Sequence, residues 1–136
     1  MTTLLVDVAN VMGSRPDGWW RDRAGAAARL LDRLAALPGR VLDGPDGAAV
    51  RCSQVVAVVE GKAREVAGPD VSGLRVVRAQ GSGDDALAAV AEELAAAGEQ
   101  VLAVTADRGL RVRLPDEVDV AGPGWLQARM PGDREG

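Results

Sequence analysis

Short apolar runs that alternate with helical segments limit the fold of this chain more than any other feature of its sequence. Four runs rich in Val and Leu predict β-strands, and a weaker fifth run follows them. They span Leu4–Val8, Gln54–Val59, Leu74–Ala79, Gln100–Thr105 and, for the weaker run, Val118–Ala121. Most of these runs are almost continuously apolar, which is typical of strands covered on both faces of a parallel sheet.

Segments with helical periodicity lie between these runs. Asp22–Leu37 and Asp84–Ala97 carry apolar residues at helical spacing, and we expect a shorter helix at Lys62–Ala67. Pro38–Ser53 contains several Gly and Pro residues, so we expect an irregular connection there. The alternation of strands and helices indicates an α/β fold with a three-layer open parallel sheet of four to five strands, joined by right-handed crossovers.

The length and the absence of some residue types restrict the organisation and the chemistry. With 136 residues, we expect a single domain over 1–130 and a frayed tail at 131–136. The chain contains no His, which excludes a Ser-His-Asp triad, a Cys-His pair and zinc sites that need imidazole. Its single cysteine, Cys52, permits neither an intrachain disulfide nor a Cys cluster, so a reducing cytoplasm fits best.

Hydropathy and net charge limit the kinds of partner that the protein is expected to bind. The longest apolar runs fall well short of the roughly 20 residues that cross a bilayer, so we expect no membrane contact. The first residues lack the basic region and long apolar stretch of a signal peptide. The net charge is −4, so the molecule as a whole does not attract nucleic acid. Because the chain contains no His, any enzymatic chemistry would depend on carboxylates, on Arg or on a bound metal.

Acidic residues stand at or shortly after the end of each main strand. In chain order they are Asp7, Glu60, the pair Asp84 and Asp85, and Asp107. The carboxyl ends of strands in an open parallel sheet share one rim, where ligands bind. Crowded carboxylates repel one another unless a cation neutralises them, and such hard oxygen ligands suit Mg²⁺ or Mn²⁺. Three of these residues also have a purely structural interpretation: Asp7 as a turn former, Asp84 as a helix N-cap and Asp107 as a cap of the following turn.

Four of these acidic residues lie in three segments that resemble a known family. The first segment has Asp7 and Asn10 in an Asp-x-x-Asn pattern, the second is Gly83-Asp84-Asp85, and the third is Thr105-Ala106-Asp107. Their order and approximate spacing are similar to those of NYN domains, which belong to the PIN-like ribonuclease superfamily. Together the motifs bracket about residues 4–113.

The resemblance implies a parallel sheet of order 3-2-1-4-5, a Mg²⁺ or Mn²⁺ site, and hydrolysis of phosphodiester bonds in RNA. It implies that Asp7, Asp84 and Asp107 bind the metal and act in catalysis. Asn10 would belong to the catalytic set by contacting phosphate or metal-bound water. Asp85 is also a candidate metal ligand, since either member of the Asp pair could face the site. Glu60 matches a second acidic residue of some PIN-like enzymes by position only.

Basic and aromatic residues near these motifs are candidates for substrate binding. Arg15, Trp19, Arg21 and Arg23 lie just downstream of the first motif, and Arg108 follows the third. Arg combined with Trp can hold phosphates and stacked bases. Alternatively, the Trp residues fasten a loop onto the following helix, and the Arg residues are simply solvated.

The leading interpretation is a Mg²⁺- or Mn²⁺-dependent PIN-like (endo)ribonuclease. Two alternatives stay open: a nucleotide pyrophosphohydrolase, and a catalytically silent domain that binds RNA or a protein. RNA is the expected partner, as the substrate. A homodimer and an antitoxin-like protein partner are left open, the latter because toxin ribonucleases share the fold.

Overall fold

The computed structural model describes residues 1–15 and 18–131, so the expected frayed tail at 131–136 lies outside the described residues except for Pro131. The strands are β1 (Thr2–Asp7), β2 (Val41–Asp43), β3 (Ala49–Val59), β4 (Leu74–Arg78), β5 (Gln100–Val104) and β6 (Asp119–Ala121). The α-helices are α1 (Val8–Gly13), α2 (Arg23–Leu34), α3 (Gly83–Ala96), α4 (Arg108–Arg113) and α5 (Pro123–Arg129). Short 3-10 helices cover Trp19–Arg21 and Gly61–Glu65. Among the described residues, no helix is both long and apolar enough to cross a membrane.

The sheet is built around β1, which pairs in parallel with β3 on one side and β5 on the other. β4 pairs in parallel with β3, and β6 pairs in parallel with β5. β2 joins the start of β3 in antiparallel orientation, so the six-stranded sheet is mixed and its path runs β2-β3-β1-β5-β6 with β4 also on β3. The expected α/β class with an open, mainly parallel sheet is confirmed.

Helices cover both faces of the sheet. In β1, Leu4 and Val6 pack into a cluster that includes residues of α1 and α2, whereas Leu5 packs into a second cluster with α3. All three side chains have no solvent exposure. Because alternate residues of a strand point to opposite faces, a strand that is buried on both sides must be apolar at every position. This explains the continuous apolar runs in the sequence.

The expectation of an irregular connection at Pro38–Ser53 is wrong in part, because this stretch contains β2 and the start of β3. The two strands form a hairpin, in which the Gly44 N–H donates to the Ala48 carbonyl at 2.7 Å. Gly47 turns the chain with a φ of 88°. A distant contact also holds this hairpin, since Trp125 Nε1 in α5 donates to the Asp43 carbonyl at 2.9 Å. The periodicity of a sequence does not reveal a stabilising contact of this kind with a distant part of the chain.

Several element ends differ from the expectations. Val8 starts α1 instead of ending β1, and the helix expected at Lys62–Ala67 is the 3-10 helix Gly61–Glu65. Helix α2 begins after its N-cap Asp22 and ends at Leu34, before Leu37. The short helices α1, α4 and α5 were not expected at all. Helices of one or two turns are shorter than the window in which a periodicity emerges. Capping Asp side chains mark the starts of α1 and α4, and a Pro marks the start of α5.

Candidate functional site

The site lies where β1, β3 and β5 end, and the topology alone brings its residues together. β1 is central, so its last residue, Asp7, is flanked by the ends of β3 and β5. The residues that follow these strands, Glu60 and Thr105, therefore stand on either side of Asp7. Asp107 caps α4 directly beyond β5, and α3 begins next to Glu60. These positions are the predicted rim of acidic residues.

The side chain of Thr105 links two of the carboxylate positions. Its hydroxyl donates to Asp7 Oδ2 at 3.0 Å and accepts from the backbone N–H of Asp107 at 3.1 Å. Thr105 is 1% exposed and Asp7 is 6% exposed, so this bridge is shielded from water. Thr105 was not among the predicted site residues. The Thr-x-Asp spacing of the third motif is the signal that could have identified it.

Asp7 and Asp107 also cap helices; Asp7 was expected to be a turn former under its structural interpretation, and it caps α1 instead. Asp7 Oδ1 accepts from the Asn10 backbone N–H at 3.3 Å at the start of α1. Asp107 Oδ1 accepts from the Leu110 backbone N–H at 3.0 Å at the start of α4. Capping and a role in the site are compatible, because each carboxylate oxygen has a second lone pair. The caps fix where the remaining lone pairs point.

Asn10 connects the first motif to the third. Its Oδ1 accepts a hydrogen bond from the backbone N–H of Ala106 at 2.8 Å, across the gap between α1 and the segment after β5. With the carbonyl oxygen engaged there, the two N–H donors of the amide point away from that bond. Asn10 therefore presents donors rather than acceptors to a neighbouring ligand.

Glu60 holds the start of α3 against the end of β3. Its Oε2 accepts from the backbone N–H of Gly83 at 2.7 Å, a donor that has no partner within the helix. A Cβ atom at position 83 would lie 2.7 Å from Glu60 Cδ, so any other residue there would displace the Glu60 carboxylate from this position. Ser82 caps the next donor, the Asp84 backbone N–H, at 3.1 Å. The position of Asp84 on the rim thus depends on Glu60.

The two members of the Asp pair have different surroundings. Asp85 is exposed and forms an ion pair with Arg113 in α4, with 2.7 Å between Oδ1 and Nη2. Asp84 is half-buried and interacts electrostatically with Asp107 and Glu60. Asp84 is therefore the member of the pair that belongs to the acidic rim.

Burial and like charge raise the pKa of two rim carboxyls, Asp7 and Asp84. Desolvation is the largest cause of the rise in the Asp7 pKa to about 6, and the charges of Asp84 and Glu60 add to it. The hydrogen bonds from Thr105 and Asn10 act in the opposite direction. The Asp84 pKa is raised by desolvation first and then by Asp107 and Glu60, while Arg113 lowers it. A cation bound here would relieve this repulsion.

The donor atoms of the rim suit a metal ion, but their arrangement does not form a complete site. The available donors are carboxylate and amide oxygens, which suit Mg²⁺ or Mn²⁺. Within residues 1–15 and 18–131, however, no three acidic, Cys or His side chains stand close enough together to hold an ion. Asp7, Glu60 and Asp107 each accept hydrogen bonds from protein donors. The donor chemistry fits a divalent cation, whereas the side chains as they stand do not form a complete ligand set.

The Trp residues of the predicted substrate-binding segment have unequal roles. Trp19 is half-buried against the core, with the Arg23 guanidinium 5.6 Å from its ring centre. The cavity beside it measures about 20 Å³, which holds a water molecule and not a base. Trp20 is 54% exposed, and Arg21 lies 5.8 Å from its ring centre. Trp19 therefore fastens the segment to the core, and Trp20 is the ring that a base could reach.

An open cleft of about 830 Å³ adjoins the rim. Asn10 and Ala106 form its edge on the rim side, and Arg15 and Arg33 line it as well. The other predicted basic residue, Arg108, is exposed in the first turn of α4. Arg33 was not predicted, because an Arg within an amphipathic helix gives no sign that its side chain reaches a cleft.

Of the comparisons with known proteins, only the one with solved structures found matches, and it supports the fold. No protein-family model matches the chain, and no curated protein matches it. Among solved structures, the chain is similar to Rae1 (YacP) from Bacillus subtilis and to a single-substitution variant of that protein. Both have a TM-score of 0.68 and 17% identity, with coverage of 95% of this chain and 73% or 74% of theirs. At this identity, the likeness shows a common fold alone.

We predict that Asp7→Asn changes the stability of the metal-free protein in a pH-dependent way. The Asp7 pKa rises from 3.8 to about 6 on folding, so the folded chain holds the proton more tightly and its stability falls as the pH rises through this window. Asn has no such loss. Above pH 7 the variant should be more stable by roughly 1–3 kcal/mol, and the difference should vanish towards the unfolded-state pKa.

Urea unfolding in EDTA at several pH values measures this difference. Asp22→Asn is the matched control, because it also alters a carboxylate that caps a helix, but at an exposed position. A loss of more than about 2 kcal/mol in Asp7→Asn at neutral pH would show that the bonds from Asn10 and Thr105 outweigh the desolvation.

We predict that Glu60→Ala lowers the free energy of unfolding by about 1–3 kcal/mol, because the buried Gly83 N–H loses its charged acceptor. Glu60→Gln should lose less, since its side-chain carbonyl can accept the same bond. Urea unfolding measures both variants, with Ser82→Ala as a control for loss of the neighbouring cap. Equal losses in Glu60→Ala and Glu60→Gln would mean that the charge matters and the hydrogen bond does not.

Proposed function

We propose that this protein is a metal-dependent nuclease of the PIN-like type that hydrolyses phosphodiester bonds in RNA. The observation that carries the proposal is the gathering of Asp7, Asp84 and Asp107 at one rim, beside the amide of Asn10 and a cleft lined by Arg. The raised pKa values of Asp7 and Asp84 mean that their charged forms are less favourable in the folded protein than in water, which is typical of groups at functional sites. Mg²⁺ or Mn²⁺ fits the chemistry of these donors.

The strand pairings support a PIN-like sheet. The five parallel strands lie in the order β4-β3-β1-β5-β6, which corresponds to 3-2-1-4-5 when these five alone are numbered along the chain. β2 is an addition to this pattern, at the edge of the sheet beside the start of β3. The fold that the chain shares with Rae1 (YacP) is compatible with this assignment.

In the proposed reaction, each rim residue has a role set by its contacts. Asp7, Asp84 and Asp107 would hold the metal ion, which supplies activation of water and neutralisation of charge on the phosphoryl group. Thr105 keeps Asp7 and Asp107 at a fixed separation, and Glu60 positions Asp84 through α3. Asn10 donates its amide N–H groups to a phosphate oxygen. No side chain forms a covalent bond to the substrate.

One observation favours a catalytically silent binding domain as the second candidate. The carboxylates of Asp7 and Glu60 are already engaged by protein donors, and the described carboxylates do not converge on one point. A silent domain would keep the Arg-lined cleft and bind RNA without cleaving it. Binding of the metal and cleavage of RNA therefore need separate tests.

We predict that Mn²⁺ or Mg²⁺ raises the melting temperature of the protein, because a cation that binds the folded rim shifts the folding equilibrium by mass action. The double variant Asp7→Asn, Asp107→Asn should lose this shift and remain folded, since Asn can also cap both helices. Differential scanning fluorimetry with and without the metal measures the effect. Asp46→Asn is the control, because its carboxylate also accepts a backbone N–H but lies in the hairpin away from the rim. The same shift in the double variant and the wild type would place the metal elsewhere.

We predict metal-dependent cleavage of single-stranded RNA that EDTA stops and that falls by about 100-fold or more in Asp107→Asn, because a misplaced ion forfeits most of the positioning. Gel analysis of a labelled oligonucleotide measures the rate, and Asp46→Asn should cleave as the wild type does. Activity that survives in Asp107→Asn would indicate a contaminating ribonuclease. Hydrolysis of nucleoside triphosphates with RNA left intact would instead support the pyrophosphohydrolase, and binding of RNA with neither reaction would support the silent domain.

A further inference from the structure

β4 forms one edge of the sheet, and part of its backbone faces away from the other strands. It pairs in parallel with β3, and within residues 1–15 and 18–131 no strand lies on its other side. The Ala79 N–H, directly after β4, donates to the Val59 carbonyl of β3 at 2.9 Å. Since the backbone direction alternates along a strand, Val76 and Arg78 turn their N–H and C=O groups to the outer edge.

Two exposed Arg residues of β4 make this edge unsuited to pairing with a second copy of the protein. Arg75 lies on the side of α3, where its Nη1 is 3.7 Å from Glu93 Oε1, and Arg78 lies on the opposite face of the strand. Two copies of β4 placed side by side would bring these cations close together, and like charges on adjacent strands are destabilising. The same charges favour a partner strand that carries carboxylates.

Arg64, in the 3-10 helix Gly61–Glu65, adds a further cation beside Arg78. Arg78 Nη1 donates to the Arg64 carbonyl. Arg64 Nη1 in turn donates to the carbonyls of Ala79 and Gln80, at 3.3 and 3.4 Å. Carbonyl oxygens orient the two guanidinium groups without neutralising them, and in the described part of the chain neither group forms an ion pair. Each guanidinium has five N–H donors, so donors remain for a carboxylate.

An open hollow of about 400 Å³ lies at the C-terminal end of β4, and these two Arg residues line it. The other lining residues are Glu65, Ala79 and Gln80. With two cations against one carboxylate, the hollow has a local surplus of positive charge in a chain of net charge −4. None of the five lining residues is aromatic, so the hollow offers no ring on which a base could stack. A carboxylate side chain suits it better.

We propose that β4 binds an extended acidic segment of a partner protein, which adds a strand to this edge of the sheet and places a carboxylate beside Arg64 and Arg78. In strand addition the backbone bonds supply affinity and the side chains supply specificity. The outward groups of Val76 and Arg78 alternate donor and acceptor, which a peptide backbone matches and a sugar–phosphate backbone, without N–H donors, does not. The inference does not depend on the acidic rim or on cleavage of RNA.

A fluorescent peptide of alternating Glu and Val tests strand addition to the wild-type protein, with binding measured by anisotropy at low salt. Its matched control is the same peptide N-methylated at every residue, which keeps the carboxylates and loses the backbone donors. We expect the methylated peptide to bind about 10-fold more weakly, because several backbone hydrogen bonds are lost. A peptide of alternating Lys and Val should not bind. Amide hydrogen exchange at Val76 and Arg78 should slow when the acidic peptide binds.

Substitutions in the protein test the edge and the charge separately. Val76→Pro removes an outward N–H, which an edge strand tolerates, and should weaken binding of the acidic peptide by about 5-fold. Val76→Ala, the control for the lost side chain, should bind as the wild type does. Arg78→Glu should weaken binding of the acidic peptide by about 5-fold and allow the Lys peptide to bind. Arg51→Glu is its matched control, because Arg51 lies in the part of β3 that pairs with β2.

Several results would overturn the inference. Equal affinity for the methylated and unmodified peptides, or no saturable binding of the acidic peptide at millimolar concentration, would exclude strand addition. Unchanged affinity in both Val76→Pro and Arg78→Glu would place the peptide elsewhere. Oligouridine that binds more tightly than the peptide and loses affinity in Arg78→Glu would assign the edge to RNA, and a dimer that Val76→Pro abolishes would assign it to a second copy. Because the peptide controls use the wild-type protein, a variant that fails to fold does not affect the decision.

Discussion

The hydrogen bonds of the Thr105 hydroxyl determine how the site is arranged. This one buried group donates to Asp7 at the end of β1 and accepts from the backbone N–H of Asp107 beyond β5. A hydroxyl is suited to both roles at once, because it carries one donor and two acceptor lone pairs. This contact joins the neighbouring parallel strands β1 and β5 where their ladder of backbone hydrogen bonds ends. The positions of two rim carboxylates follow from it.

The same side chains stabilise the fold and oppose it. Capping by Asp7 and Asp107 supplies acceptors for helices that are too short to be stable alone. Desolvation of Asp7, with Asp84 and Glu60 nearby, raises its pKa to about 6 and makes its charged form unfavourable in the absence of a cation. A protein selected for stability alone could cap these helices with neutral residues such as Ser or Asn. The retention of charge at these caps is what makes the rim a candidate for function.

The parts of the fold that could be predicted from the sequence are those that burial alone dictates. The runs at β1, the later part of β3 and β5 are apolar because helices cover both faces of these strands. β2 could not be predicted in this way, since it is three residues long and is held by bonds from α5 to the Asp43 carbonyl. The helices α1 and α4 depend on single capping residues, and a capping Asp has the same appearance in sequence as a turn or a ligand.

The candidate site was only partly predictable for a related reason. The sequence predicts which strand ends carry acidic residues, but Asp7, Glu60 and Asp85 each also have a partner from a distant part of the chain. Asp85 forms an ion pair with Arg113, whereas Asp84 experiences the negative charges of Asp107 and Glu60. Nothing in two consecutive Asp residues predicts this difference. Likewise, the side chain of Arg33 reaches the cleft because of how α2 packs, which no local pattern encodes.

Asn10 connects the acidic rim to the adjoining cleft. Its Oδ1 is fixed by the Ala106 backbone N–H, and that bond links α1, which Asp7 caps, to the segment that leads to Asp107. The amide is therefore oriented by the same two segments that position the carboxylates. Any displacement of these segments would move the rim and the edge of the cleft together. A ligand that contacts Asn10 in the cleft would thus have a fixed position relative to the rim.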